Sequence, residues 1–143
     1  MADRTARVTW EGSLMEGSGT IEEVGSGAFG SLPVTWAARS EEESGGKTSP
    51  EELIAAAHAA CFSMALSNGL AQSGTPPERL ETSATVTLVP GTGITKIALT
   101  VDGRVPGLDE EGFRQAAETA KENCPVSKAL AGVPEITLDV SSG

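Results

Sequence analysis

The stretch SPEELIAAAHAACFSMAL, residues Ser49–Leu66, decides how the chain is read. Ser49 can cap a helix, Pro50 suits its first position, and Glu52 completes a capping box. From Leu53 to Leu66 only His58 and Ser63 interrupt apolar residues, so the helix lacks a polar face and reads as buried on all sides. Ala55, Ala56, Ala57, Ala59 and Ala60 let neighbouring backbones come close. Asn68, Gly69 and Gly74 fray its end, and TPPE (75–78) stops it. The same helix carries Cys61, one of only two cysteines, and His58, the only histidine.

Before this helix, RTARVTWEG (4–12) and GSGTIEEVG (17–25) read as two short strands, and GAFGSLP (27–33) as loop. VTWAARS (34–40) alternates, with Val34, Trp36 and Ala38 on one face, and reads as a third strand. After the helix, LETSATVTLVP (80–90) and ITKIALTVDGRV (94–105) are alternating strands joined through GTG (91–93) as a hairpin. DEEGFRQAAETAKEN (109–123) is a helix with Phe113, Ala116, Ala117 and Ala120 as its apolar stripe. CPVSKAL (124–130) is a short helix with Cys124 at the cap and Pro125 at the first position, and EITLDV (135–140) is a closing strand. The expected class is α+β in the order βββ-α-ββ-α-α-β, and 143 residues suit one domain over 1–143.

Composition narrows the function classes. Charged residues make up 21% and apolar residues 38%, ordinary for a globular protein. Twenty acids against 10 bases give a net charge of −10, which disfavours nucleic acid or an anionic membrane as partner. MADRTARVTW lacks a signal-peptide core, and the charge-free run Leu53 to Pro77 reads as too polar and too short to span a bilayer. A cytoplasmic location is the expectation, where two cysteines are more often buried, catalytic, redox-active or metal-binding than a permanent staple.

Cys124, at a helix N-terminus, faces unpaired amides and the positive end of the helix dipole, which favour a thiolate. It reads equally well as a small cap residue. Cys61 stands mid-helix, where burial alone leaves a thiol inert, so reactivity requires a cation from elsewhere. Arg39, near the end of a strand leading into the helix, is best placed to supply it. His58 can be a general base for Cys61, a metal ligand with Cys61 and Cys124, or a hydrogen-bonded core residue. The third reading is preferred, because no oxyanion hole or orienting acid is marked and the three ligands lack a short-spaced pair.

TSPEELIAAAHAACFSMAL, followed by ITKIAL, NCPVSKAL and EITLDV, resembles the OsmC/Ohr family of thiol peroxidases, and the OsmC branch most closely. The resemblance implies an OsmC-like fold, with a long buried helix on an antiparallel sheet in an intertwined homodimer with sites at the subunit interface. It implies that Cys61 is the peroxidatic cysteine, Cys124 the resolving cysteine, Glu51 the active-site glutamate and Arg39 the arginine ahead of the helix. EGSLMEGSGT (11–20) contains no arginine, which favours the OsmC branch over Ohr. The implied reaction reduces organic hydroperoxides through a sulfenic acid and an intramolecular disulfide, reset by a lipoyl-type dithiol or small thiol, with no cofactor and no metal. Glu51 and Cys61 would lie about 15 Å apart along a straight helix, so either Arg39 spans part of the gap or Glu51 serves the partner's site. The alternatives are a non-catalytic small-molecule or partner-binding dimer and a thiol hydrolase using Cys61 and His58.

Overall fold

The computed structural model describes residues 1–143. The chain divides into two compact units, Met1–Leu53 and Ile54–Gly143.

In the first unit, strands β1 (Ala6–Glu11), β2 (Ser18–Val24) and β3 (Gly30–Val34) form an antiparallel sheet in the order β1-β2-β3. Gly17 closes the first turn: a Cβ there would meet Ser13 O at 2.3 Å and Glu11 O at 2.5 Å, so no side chain fits. Pro33, which has no N–H to give, is tolerated because β3 is an edge strand. Ile21 is the one large apolar side chain this unit buries, while every residue of β1 is exposed.

The sequence reading of 27–40 is corrected here. Strand β3 begins at Gly30, inside the expected loop, and the expected strand Val34–Ser40 is mostly a short helix, α1 (Trp36–Ser40). Thr35 causes the change: its side chain accepts from Ala38 N at 3.1 Å, the N-cap bond that starts a helix. Alternation over seven residues is too short to exclude one helical turn after a cap. Arg39 therefore sits in the last turn of α1, not at a strand end.

Helix α2 (Pro50–Gln72) starts as the sequence indicates. Ser49 Oγ accepts from Glu52 N at 3.1 Å, while the Glu52 carboxylate accepts from Thr48 Oγ1 at 2.8 Å and so does not close the reciprocal half of a capping box. Its 23 residues include a window of mean hydropathy 1.4, so α2 is long and apolar enough to cross a membrane. The expectation that this run was too short is corrected. Core helices pass the same test, and α2 contributes Phe62, Leu66 and Leu70 to a core.

In the second unit, β4 (Arg79–Val89) and β5 (Gly93–Arg104) form the expected antiparallel hairpin, and β6 (Glu135–Ser142) pairs with the other edge of β5. The β5–β6 pairing is parallel, a correction to the wholly antiparallel sheet expected. Parallel neighbours need a long crossover, supplied by α3 (Glu110–Asn123) and α4 (Pro125–Ala129). His58, Phe62, Leu66 and Leu70, spaced four apart, form one buried seam of α2. The three apolar members pack with Ile97, Leu99 and Val101 of β5 and with Phe113, Ala117 and Ala120 of α3. Gly103 makes room for that packing, since a Cβ there would strike the Phe113 ring at 2.2 Å. Burial on every face of α2 is reached on one side only within a single chain: Met64 is 70% exposed.

Candidate active site

The geometry joins the four residues singled out above into two pairs, one in each unit. In Met1–Leu53, Arg39 Nε donates to both carboxylate oxygens of Glu51, at 2.8 and 3.1 Å. Glu51 is buried in the first turn of α2. The guanidinium carbon lies 5.9 Å from the centroid of the Trp36 ring, within cation–π range. Trp36, one α-helical turn before Arg39, was not singled out from the sequence, because the segment read as a strand. Only Nε of Arg39 is engaged, which leaves both terminal NH2 groups as free donors.

In Ile54–Gly143, Cys61 and Cys124 come together, near enough for each thiol to act on the ionisation of the other. Both are free thiols; Cys61 is half-buried and Cys124 fully buried. Cys124 terminates α3, with its N–H on Ala120 O at 2.8 Å, and opens α4, with its C=O accepting from Lys128 N at 3.1 Å. Two helix ends thus fix one cysteine, while the middle of a longer helix carries the other.

The electrostatics set the two sulfurs apart. Burial pushes the Cys61 thiol up, the neighbouring Cys124 adds to the rise, and the Val126 N–H pulls against it. Burial also opposes ionisation of Cys124. The Ser127 N–H, the Cys61 thiol, the Ser127 hydroxyl and the Val126 N–H outweigh it and hold Cys124 below the usual thiol range. Although Cys124 makes no formal side-chain cap bond, the first-turn amides still favour its anion. The lowered Cys124 thiol agrees with one of its two sequence readings, whereas no cation is among the groups acting on Cys61.

His58 has no solvent exposure and lies 2.7 Å, through Nε2, from Ser127 Oγ, while its Nδ1 has no partner. Burial lowers its pKa, which keeps the ring neutral. His58 is not among the groups acting on Cys61, so the general-base reading finds no support in the geometry. No group of three or more His, Cys, Asp or Glu side chains is spaced to hold a metal ion. Ser127 was missed by sequence reasoning; its position three after the cap residue in CPVS was the available signal.

A groove of about 940 Å³ runs between α2 and α3, with Cys61, Met64, Leu108, Ala116 and Pro125 among its lining. No charged side chain lines it.

Comparison with known proteins finds relatives of the chain. The profile of the OsmC-like protein family matches residues 43–139. The chain is 47% identical to Peroxiredoxin OsmC of Escherichia coli strain K12, over 91% of this chain and 90% of that protein. It is 31% identical to Organic hydroperoxide resistance protein-like 2 of Staphylococcus epidermidis, over 70% and 72% of the two chains. Its fold is similar to the crystal structure of an organic hydroperoxide resistance protein from Elizabethkingia anophelis, with a TM-score of 0.70 at 24% identity over 97% and 96% of the two chains.

Proposed function

The chain belongs to the OsmC-like protein family, and on that premise we propose that it is a thiol-dependent peroxidase that reduces organic hydroperoxides to alcohols. The proximity of Cys61 and Cys124, remote in sequence yet neighbours in the fold, carries this reading. Two neighbouring thiols can close a disulfide without a large rearrangement.

Cys61, as the thiolate, attacks one oxygen of the hydroperoxide. The O–O bond breaks, the alcohol leaves with a proton, and the sulfur becomes a sulfenic acid. Cys124 then displaces the sulfenic oxygen as water and closes the disulfide. An external dithiol of lipoyl type, or a small thiol, takes up the disulfide and returns both cysteines to thiols. Arg39 is assigned the task of making Cys61 anionic and of stabilising charge on the departing oxygen. The raised Cys61 thiol is the reason such a cation is needed. Glu51 aims the guanidinium by holding Nε and leaving the NH2 groups free.

A homodimer with shared sites belongs to the same proposal. Its support is the open side of α2, with Met64 exposed, and the exposed Val8 and Trp10 of β1. Buried against a second copy, these surfaces would complete the core that one chain lacks. The uncharged groove beside Cys61 supports an uncharged organic hydroperoxide over a charged substrate.

The deciding experiment treats the reduced protein with cumene hydroperoxide, counts free thiols and measures turnover with dihydrolipoamide. The proposal expects loss of both thiols per chain, recovery with the dithiol and no consumption in Cys61→Ser. Retention of both thiols in the presence of peroxide would favour a non-catalytic binding dimer. Ester cleavage dependent on His58 would favour a hydrolase.

A further inference from the structure

His58 sits in the buried seam of α2 and takes no part in the reaction as described above. Its Nε2 is 2.7 Å from Ser127 Oγ, and its buried Nδ1 meets no partner. An N–H buried without an acceptor is rare and costly, whereas a bare imidazole lone pair is tolerated more readily. The ring proton therefore belongs on Nε2, which donates to Ser127 Oγ. Burial keeps the ring uncharged, so Nδ1 stays unprotonated.

This tautomer determines what Ser127 does. A serine hydroxyl has one proton to give, and an oxygen already accepting from an imidazole leaves that proton free to point elsewhere. The Ser127 hydroxyl and N–H both act on the Cys124 sulfur. Cys124 is the N-cap of α4 and Ser127 the third residue of that helix, so the backbone itself sets them side by side. The other groups acting on Cys124 are the Cys61 thiol from α2 and the Val126 N–H; no charged side chain is among them. His58 holds Ser127, Ser127 stands in the first turn of the helix that Cys124 opens, and Cys124 neighbours Cys61, all within Ile54–Gly143.

We propose that His58 is a positioning residue for the second sulfur: by holding the Ser127 hydroxyl with its proton toward Cys124, it keeps Cys124 nucleophilic for disulfide closure. The role in closure rests on the peroxidase reading; the effect on Cys124 does not. In the closing step the Cys124 sulfur, as the anion, attacks the sulfenic sulfur of Cys61. The S–S bond forms, the S–O bond breaks, and the departing hydroxide takes up the proton that Cys124 released, leaving as water. Sulfur 61 is reduced and sulfur 124 oxidised, with the oxidising equivalent supplied earlier by the hydroperoxide.

Two measurements test this. The first follows ultraviolet thiolate absorbance against pH in Cys61→Ser, where Cys124 is the single remaining thiol. Adding His58→Phe, which keeps a planar ring and removes the donor, should raise the Cys124 midpoint by about one pH unit, as expected for weakening one hydrogen bond to an anion. His58→Leu should do the same if the phenylalanine variant does not fold, and His58→Gln, whose amide can donate in place of Nε2, should restore the midpoint. A midpoint unmoved in a folded His58→Phe or His58→Leu chain overturns the proposal. The second measurement uses chains with both cysteines and cumene hydroperoxide. His58→Phe should form the sulfenic acid at the unaltered rate and close the disulfide about tenfold more slowly near neutral pH. Equal closure rates overturn the assigned role. If the midpoint moves as expected but no chain consumes peroxide, the peroxidase reading fails while the positioning of Cys124 stands.

Discussion

Residues Ile54–Gly143 close a core around Phe62, Leu99 and Phe113, each with 1% exposure or less, whereas Met1–Leu53 buries Ile21 and leaves Val8, Trp10, Leu14, Met15 and Phe29 exposed. Both units have a three-stranded sheet, each with one register shift, at Arg7/Val8 and at Thr87/Leu88. The difference is what covers the sheet. In the second, α2 and α3 bring apolar side chains to β5. In the first, backbone hydrogen bonds and Gly17 shape a meander that lacks a hydrophobic load of its own. A three-stranded sheet needs an apolar face covered to be stable, and the second copy proposed above would give the first unit that cover. The chemistry divides in the same way: the cation and its carboxylate belong to the first unit, and both sulfurs to the second.

The largest test of this division concerns chemistry. Cys61→Ser should abolish dithiol-supported peroxide turnover, and Arg39→Met should lower it by about two to three orders of magnitude, the range seen when one stabilising donor is removed. In Cys61→Ser, where Cys124 is the single thiol, adding Arg39→Met should leave the Cys124 midpoint in place, because no arginine acts on it. A shifted Cys124 midpoint would erase the separation of roles.

Stability should divide next. Phe113→Ala, in the closed core, should cost about 3–5 kcal/mol by urea unfolding. Trp10→Ser, on the open strand, should have a concentration-dependent cost, because its partner is proposed to be another chain. A Trp10→Ser chain with the wild-type dimer constant in sedimentation would break the comparison.

The pH dependence is a smaller effect and belongs to the second unit alone, which holds the only histidine. Burial lowers the His58 pKa, so the unfolded chain binds the imidazole proton more readily than the folded one. Stability is therefore complete above the unfolded value of about 6.5 and falls as pH drops below it. Urea midpoints between neutral pH and pH about 5 should fall more steeply for the wild type than for His58→Gln. The smallest effect expected is Thr35→Ala, which removes the cap of α1 at a cost of about 1 kcal/mol.

Local signals in the sequence account for much of this architecture. Ser49 and Pro50 mark the start of α2, Asp109 caps α3 through Gly112 N at 2.8 Å, and Cys124 and Pro125 mark the join to α4. Helix α1 was hidden because Thr35 is compatible with both a strand and a cap, and only the Ala38 N–H decides between them. The parallel pairing of β6 was hidden because strand direction depends on the crossover, not on the residues of EITLDV. At the site, the cysteine motifs pointed to the two sulfurs. The Ser127 link to His58 joins positions 69 residues apart, beyond any local pattern. The directions of the two thiol shifts followed from a helix start and a mid-helix position, but the Ser127 hydroxyl acting on Cys124 did not.

The groove beside Cys61 lacks any charged side chain, although the chain as a whole carries −10. Arrival and fit are thereby governed by different forces. A neutral peroxide approaches without long-range attraction or repulsion, so its capture rate should not vary with ionic strength. A carboxylated peroxide of the same size is repelled until salt screens the surface, and its capture should accelerate as salt is added. For the proposed peroxidase, the net charge of −10 would thus select by charge at a distance before the groove selects by shape.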